Sequence, residues 1–385
     1  MPAFKKYLFA PGPTPVPPEV ALEMTRPIIH HRTPEFSGVL DQTRHRLKPL
    51  MGTREEVLLL ASSGTGAMEA AVTNLLAPGE AAIYVDGGKF GERWGRILAA
   101  FGMTGHEVKV AWGSAVQPAQ IEAALRLHPD ARAVLMQASE TSTTAVHPVA
   151  EIAALTRRRD VMLIVDGITS VGVFEQKMDD WGIDALITGS QKALMLPPGL
   201  GIVALSPRAW ARAAKPRSPR FYFDLNRELK AQRDEHTTAY TPAISLVFGL
   251  NKSLEMIHAE TLPAVFARHR LMARATQAAA GALGLKLLAE NPAPGVTGIL
   301  MPPRIDGSRM VRYMRDALGV TVQGGQDQMK GKLVRIGHMG YVAPLDVLVA
   351  IGAMELALRS EGYDFQGGAG VAAAQAEIAS GVEKS

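Results

Sequence analysis

Short apolar runs alternate with segments of helical period through the first half of the chain. The runs are Val57 to Ala61, Ala82 to Val85, Glu107 to Val110, Ala133 to Gln137, Met162 to Val165, Ala185 to Thr188 and Gly201 to Ala204. The periodic segments among them are Ala67 to Leu76, Gly91 to Phe101, Pro118 to Leu127 and Val149 to Arg158. Strands that are apolar on both faces and separated by helices predict an α/β fold with a mostly parallel, seven-stranded sheet flanked by helices. A ligand is then expected at the carboxyl ends of the strands.

The pattern changes at both ends. Pro2, Pro11, Pro13, Pro15, Pro17 and Pro18 make residues 1–20 an expected extended arm lying across another surface. Ser206 to Thr238 is charged and carries the aromatic knot Phe221-Tyr222-Phe223, so it reads as a long connection. Helical patterns at Ser245 to Glu260, Leu262 to Leu283, Ser308 to Leu318 and Leu345 to Arg359 then combine with runs at Val296 to Met301, Val320 to Gln323 and Lys332 to Ile336. These predict a smaller C-terminal α/β layer. The expected division is an arm over 1–20, a large domain over 21–255, a small domain over 256–365 and a disordered, Gly/Ala/Ser-rich tail over 366–385.

Charge adds little: 41 basic against 37 acidic residues leave a net +4, and no basic block reads as a nucleic-acid or membrane patch. Arg157-Arg158-Arg159 closes a helical segment, where cations offset the dipole. The absence of cysteine rules out disulfides, thiolate metal sites and a cysteine nucleophile. No metal site is expected. Only Tyr7 to Ala10 separates Lys5-Lys6 from Pro11, too short for a signal-peptide core, and no apolar run approaches spanning length. A soluble, cytoplasmic protein is the expectation.

Candidate chemistry gathers at the predicted strand ends. Ile183 to Ile187 breaks at Thr188-Gly189-Ser190-Gln191, presents Lys192, passes Pro197-Pro198-Gly199 and resumes as strand. Desolvation there lowers the proton affinity of an ammonium, which suits a nucleophilic amine. Ser62-Ser63-Gly64-Thr65-Gly66 lies between a strand and a helix, where convergent amides favour a phosphate. A tight turn with an N-cap also fits, as does the start of a dinucleotide fingerprint with Asp86 as ribose-binding acid, although its third glycine position is Glu69. Asp166 ends another strand, where a carboxylate meeting a heterocyclic nitrogen makes the ring an electron sink. Phe90 and Ser142 follow two further strand ends.

This order of parts resembles the fold-type I pyridoxal-phosphate enzymes, specifically the class V aminotransferases of the alanine-glyoxylate and serine-pyruvate type. The resemblance runs from Ala10-Pro11-Gly12-Pro13-Thr14-Pro15 through Asp166 to Ser170 and Gly189 to Leu194, and on to Val334-Arg335-Ile336-Gly337-His338-Met339-Gly340. It implies pyridoxal 5'-phosphate as cofactor and Lys192 as its covalent anchor and proton carrier between the substrate Cα and C4′. It further implies Asp166 on the pyridine nitrogen, Phe90 stacked on the ring, Ser142 on the ring hydroxyl side and Ile168 beneath the ring. Ser63, Gly64, Thr65 and Gln191 would hold the phosphate, completed by Tyr240 or Thr241 of a partner subunit in a homodimer with shared sites. Arg335 would clamp the substrate α-carboxylate with two parallel bonds. Thr65 stands where some relatives carry histidine and Thr144 where glycine is common, and the lack of cysteine argues against the cysteine desulfurases of the same fold. The implied reaction is ping-pong transamination between alanine or serine and glyoxylate or pyruvate. Aspartate, 2-aminoethylphosphonate or ureidoglycine as donor, and a nicotinamide-dependent dehydrogenase using Gly64 and Asp86, are the alternatives.

Overall fold

A computed structural model describes residues 5–215 and 218–382. The seven apolar runs form one sheet of β1 (Val57–Ala61), β2 (Ala81–Asp86), β3 (Thr104–Lys109), β4 (Ala131–Gln137), β5 (Met162–Asp166), β6 (Ala185–Gly189) and β7 (Leu200–Leu205). Their spatial order is β1-β7-β6-β5-β4-β2-β3. Only β7 runs antiparallel, to both β1 and β6; the remaining pairs are parallel. Successive strand residues pack on opposite faces. Leu59, Ile83, Val134, Leu163 and Ile202 enter one core, while Leu58, Ala82, Leu135, Ile164 and Val203 enter the other. Each Leu, Ile or Val among them contributes about 1.5–3 kcal/mol on burial, whereas the edge strand β3 is largely exposed and polar.

Two crossover helices set the site. Helix α1 (Gly64–Leu75) follows β1 and helix α2 (Lys89–Ala100) follows β2. A four-stranded antiparallel sheet, ordered Lys286–Leu287, Val296–Leu300, Leu333–Gly337 and Gln323–Gly324, forms the smaller layer. The N-terminal arm joins this layer: Tyr7–Leu8 pairs in parallel with Val320–Thr321, and Phe9 is buried in its core. The single run read at Val320 to Gln323 is therefore split between two partners.

Two expectations are corrected. The connection from Ser206 to Thr238 contains helices Pro207–Ala213 and Leu225–Asp234, each with a working N-cap. Ser206 accepts from the Ala209 N–H with Pro207 at the first helical position, and Asp224 accepts from the Asn226 and Arg227 amides. The tail expected to be disordered is helix Ala369–Val382, packed on Leu262–Ala282 and Pro344–Ser360. Its alanines are strong helix formers, and it buries Ala374 and Ile378. Residues 383–385 of that expected tail lie outside the described residues.

Candidate functional site

The carboxyl ends of β1, β2, β4, β5 and β6 open on the same edge of the sheet. The turn after β6 carries Lys192, only 8 % exposed. The arm crosses it: Lys192 Nζ donates to the Pro11 carbonyl, Thr14 Oγ1 donates to the Lys192 carbonyl at 2.7 Å, and the Thr14 N–H donates to the Gln191 carbonyl at 3.1 Å. Gly12 is required at the crossing. A Cβ there would lie 2.2 Å from Lys192 Nζ, and φ is +105°. The Gly337 N–H donates to the Phe9 carbonyl at 2.6 Å, so the small layer holds the arm in place.

Burial lowers the Lys192 ammonium to about 8, assisted by the positive charges of Arg335 and Arg93 and opposed by Asp166. Asp166, 3 % exposed at the end of β5, is raised to about 6 by burial. The Ile168 N–H, donating to Asp166 Oδ1 at 2.8 Å, and the charges of Arg93 and Lys192 oppose that rise, while Glu140 adds to it. An amine whose proton affinity burial has lowered to about 8 thus shares a buried edge with an acid that is mostly ionised at neutrality.

The loop after β1 packs against the Lys192 turn. Gly64 begins α1, and its missing Cβ leaves room for Ile168, whose Cδ1 would lie 2.4 Å from one. Gly189 approaches the Gly64 amide from the other side, and Gln191 Oε1 is buried near by without a partner. Ser63 and Thr65 are exposed, and no acid occupies the first turn of α1. The helix start therefore keeps its positive end uncompensated.

Glu140, fully buried, was not singled out from the sequence. It accepts from the Gly91 N–H at 2.9 Å, the Phe90 N–H at 3.2 Å, the Ser142 N–H at 3.0 Å and Ser142 Oγ at 2.6 Å. Burial pushes its carboxyl up, and these donors oppose that rise. Glu140 thereby pins the start of α2, and with it Phe90. The only available signal was an acid in a run that the strand pattern places inside. Arg93, also missed, lies one turn after Phe90, with its guanidinium 4.9 Å from the Phe90 ring centre and Nη1 donating to Thr65 Oγ1 at 2.9 Å. The Ser142 hydroxyl donates to Glu140 and accepts from the Lys89 N–H at 3.0 Å.

Arg335 comes from the small sheet and is 5 % exposed. It donates to the Thr141 carbonyl at 2.8 Å and, through Nη2 and Nε, to the Gly324 carbonyl at 2.9 and 3.2 Å. Among the described residues it has no ion pair, and burial lowers it to about 10. Tyr240 and Thr241 do not join this group of contacts. The Tyr240 hydroxyl donates to the Phe221 carbonyl at 3.1 Å, Thr241 is exposed, and the neighbouring Tyr222 hydroxyl donates to the Ala61 carbonyl beside the α1 loop at 3.3 Å. Asp86 is remote from Gly64 because β2 and β1 stand near opposite edges of the sheet. That separation removes the nicotinamide alternative, which needs the two on neighbouring strands.

A buried lysine after the sixth strand, an acid at the end of the fifth and an open helix start after the first define a pyridoxal-phosphate enzyme of fold type I. The structure of ureidoglycine-glyoxylate aminotransferase from Bacillus subtilis is similar to this one with a TM-score of 0.92 at 27% identity, covering 98% of this chain and 99% of that one. The Aminotransferase class-V family model matches residues 6–342, and the chain belongs to that family. It is a pyridoxal-phosphate-dependent aminotransferase. It is 36% identical to the L-aspartate--glyoxylate aminotransferase of Paracoccus denitrificans, over 96% of this chain and 95% of that protein. It is also 40% identical, over 96% of this chain and 97% of the other, to a protein of Synechococcus sp. named soluble hydrogenase, small subunit. That last name does not suit this chain, which has no cysteine to ligate a metal–sulfur centre.

Proposed function

We propose that the chain transfers an amino group from a small neutral amino acid, alanine or serine, to a small 2-oxo acid, glyoxylate or pyruvate. The observation that carries this reading is Arg335: a buried guanidinium near Lys192, free of any ion pair among the described residues. A planar fork in that state suits one α-carboxylate. A dicarboxylic donor needs a second cation beside Arg335, whereas Arg93, whose charge also reaches Lys192, sits on Thr65 at the start of α1. The relatives that take glyoxylate by name support the acceptor.

The residues fit the cofactor. Gly12 lets the arm cross Lys192 with no Cβ in the way, Gly64 lets Ile168 approach, and the start of α1 has no acid in its first turn. We assign the covalent anchor to Lys192, the pyridine nitrogen to Asp166, the stacked face to Phe90 and the underside to Ile168. Ser63, Gly64, Thr65 and Gln191 take the phosphate. Ser142, its proton committed to Glu140, offers only acceptor capacity to the ring hydroxyl side. When bound, the ring supplies an electron sink for charge developing at the substrate Cα. Asp166 keeps the ring nitrogen protonated by remaining ionised. Lys192 Nζ, with its proton affinity lowered by burial, takes the proton from the substrate Cα, and the arm over residues 10–14 keeps water from that nitrogen. We also propose a homodimer in which Tyr240 or Thr241 of each protomer completes the other's phosphate site.

Single half-reactions with a panel of donors test the reading. Alanine or serine should convert the bound cofactor faster than aspartate, 2-aminoethylphosphonate or ureidoglycine. Faster conversion by any of the latter three overturns the donor assignment.

A further inference from the structure

The positive charge of Arg93 has no role in the reading above. Among the described residues its Nη1 donates to Thr65 Oγ1 at 2.9 Å, and its guanidinium carbon stands 4.9 Å from the Phe90 ring centre. It therefore spans the open start of α1 and the aromatic ring at the start of α2. Among the described residues it has no ion pair, and α1 has no acid in its first turn. A helix start and a guanidinium side by side, neither neutralised, form a site for an anion of more than one negative charge. Thr65 places that anion at the phosphate end of the site. We infer that Arg93 pairs directly with the cofactor phosphate, while its contact with Phe90 steadies that ring.

The inference rests on the cofactor-binding assignment above. It explains why threonine suffices at position 65, since a short hydroxyl that accepts from Arg93 leaves the guanidinium to supply the charge. The cation–ring contact also restrains both side chains before the cofactor arrives, which reduces the ordering cost of binding.

The test uses full-length protein freed of cofactor, as wild type, Arg93→Gln and Arg93→Lys. Each is titrated with pyridoxal phosphate and with pyridoxal, which lacks the phosphate. Binding is followed by visible absorbance and by the mass of the borohydride-reduced Lys192 peptide. Arg93→Gln should weaken pyridoxal phosphate by about 10- to 100-fold, the range for loss of one charged hydrogen-bonded pair, and leave pyridoxal unchanged. Arg93→Lys should fall between, because it keeps charge and loses the fork. Equal weakening of both ligands would reduce Arg93 to a brace for Phe90 and overturn the inference. So would unchanged cofactor affinity with a KM raised only for a dicarboxylic donor, which would move Arg93 to the substrate. Failure of wild type to link either ligand at Lys192 would end both this inference and the assignment beneath it.

Discussion

Replacing Asp166 by asparagine should stabilise the cofactor-free protein at neutral pH while crippling the reaction. Burial raises the Asp166 carboxyl from 3.8 to about 6, which corresponds to about 3 kcal/mol of cost for holding it ionised in the fold. The sign follows from the raised folded-state value. Stability from this group is fully present below 3.8, is lost as pH rises towards about 6, and stays lost above that. Integrating the linkage gives about 1 kcal/mol lost by about pH 4.5 and about 3 kcal/mol by about pH 7.5. The Asn variant lacks this term, so its advantage over wild type should grow by about 2 kcal/mol between those two conditions. Thermal midpoints of both cofactor-free proteins at the two pH values measure it, and the variant should pull ahead by a few degrees more at the higher pH. Turnover should fall by on the order of 10²-fold or more, the usual loss when a preorganised electrostatic partner is removed from a reaction centre. A midpoint difference that is the same at both pH values would refute the buried, costly carboxylate. Unchanged turnover would refute its role at the ring nitrogen.

Lys192→Ala should abolish covalent cofactor attachment and transamination, checked by borohydride reduction and mass; retained turnover would remove the central assignment. Arg335→Gln should lower kcat/KM by about 10- to 100-fold, mainly through KM for carboxylate substrates, and an unchanged KM would return Arg335 to a structural role. Gly12→Ala puts a Cβ 2.2 Å from Lys192 Nζ at a φ of +105°, so cofactor attachment should slow greatly with the fold retained by circular dichroism; normal attachment would show that the arm yields freely. Deleting residues 369–385 exposes the surface covered by Ala374 and Ile378 and should cost about 3 kcal/mol, seen as a lower thermal midpoint. An unchanged midpoint would show that the helix adds no stability.

Some of the site's neighbours escaped the pattern for a physical reason. Glu140 and Arg93 look like any charged residues in sequence, because what distinguishes them is who surrounds them: backbone amides of α2 for one, Thr65 and Phe90 for the other. Thr144 reads in sequence only as a departure from a common glycine. In the structure it has a φ of +63° and presses on Gly298 of the small sheet. That left-handed backbone is where a β-branched residue is disfavoured and glycine is at ease. The helices between Ser206 and Thr238 were legible through Ser206-Pro207 and Asp224, but the charged composition masked them.

The chain's own periodicity determined the seven strands, the crossover helices and the placement of Lys192, Asp166 and the Gly64 turn at strand ends. Such signals are local, since each depends on neighbours a few residues away. Tertiary structure alone decided that the arm passes over Lys192, that Arg335 arrives from a second sheet, and that β2 lies too far from β1 for Asp86 to serve Gly64. Those arrangements rest on strand order and on contacts between distant segments. They are chosen by which apolar faces bury one another, and no single stretch of sequence records that choice.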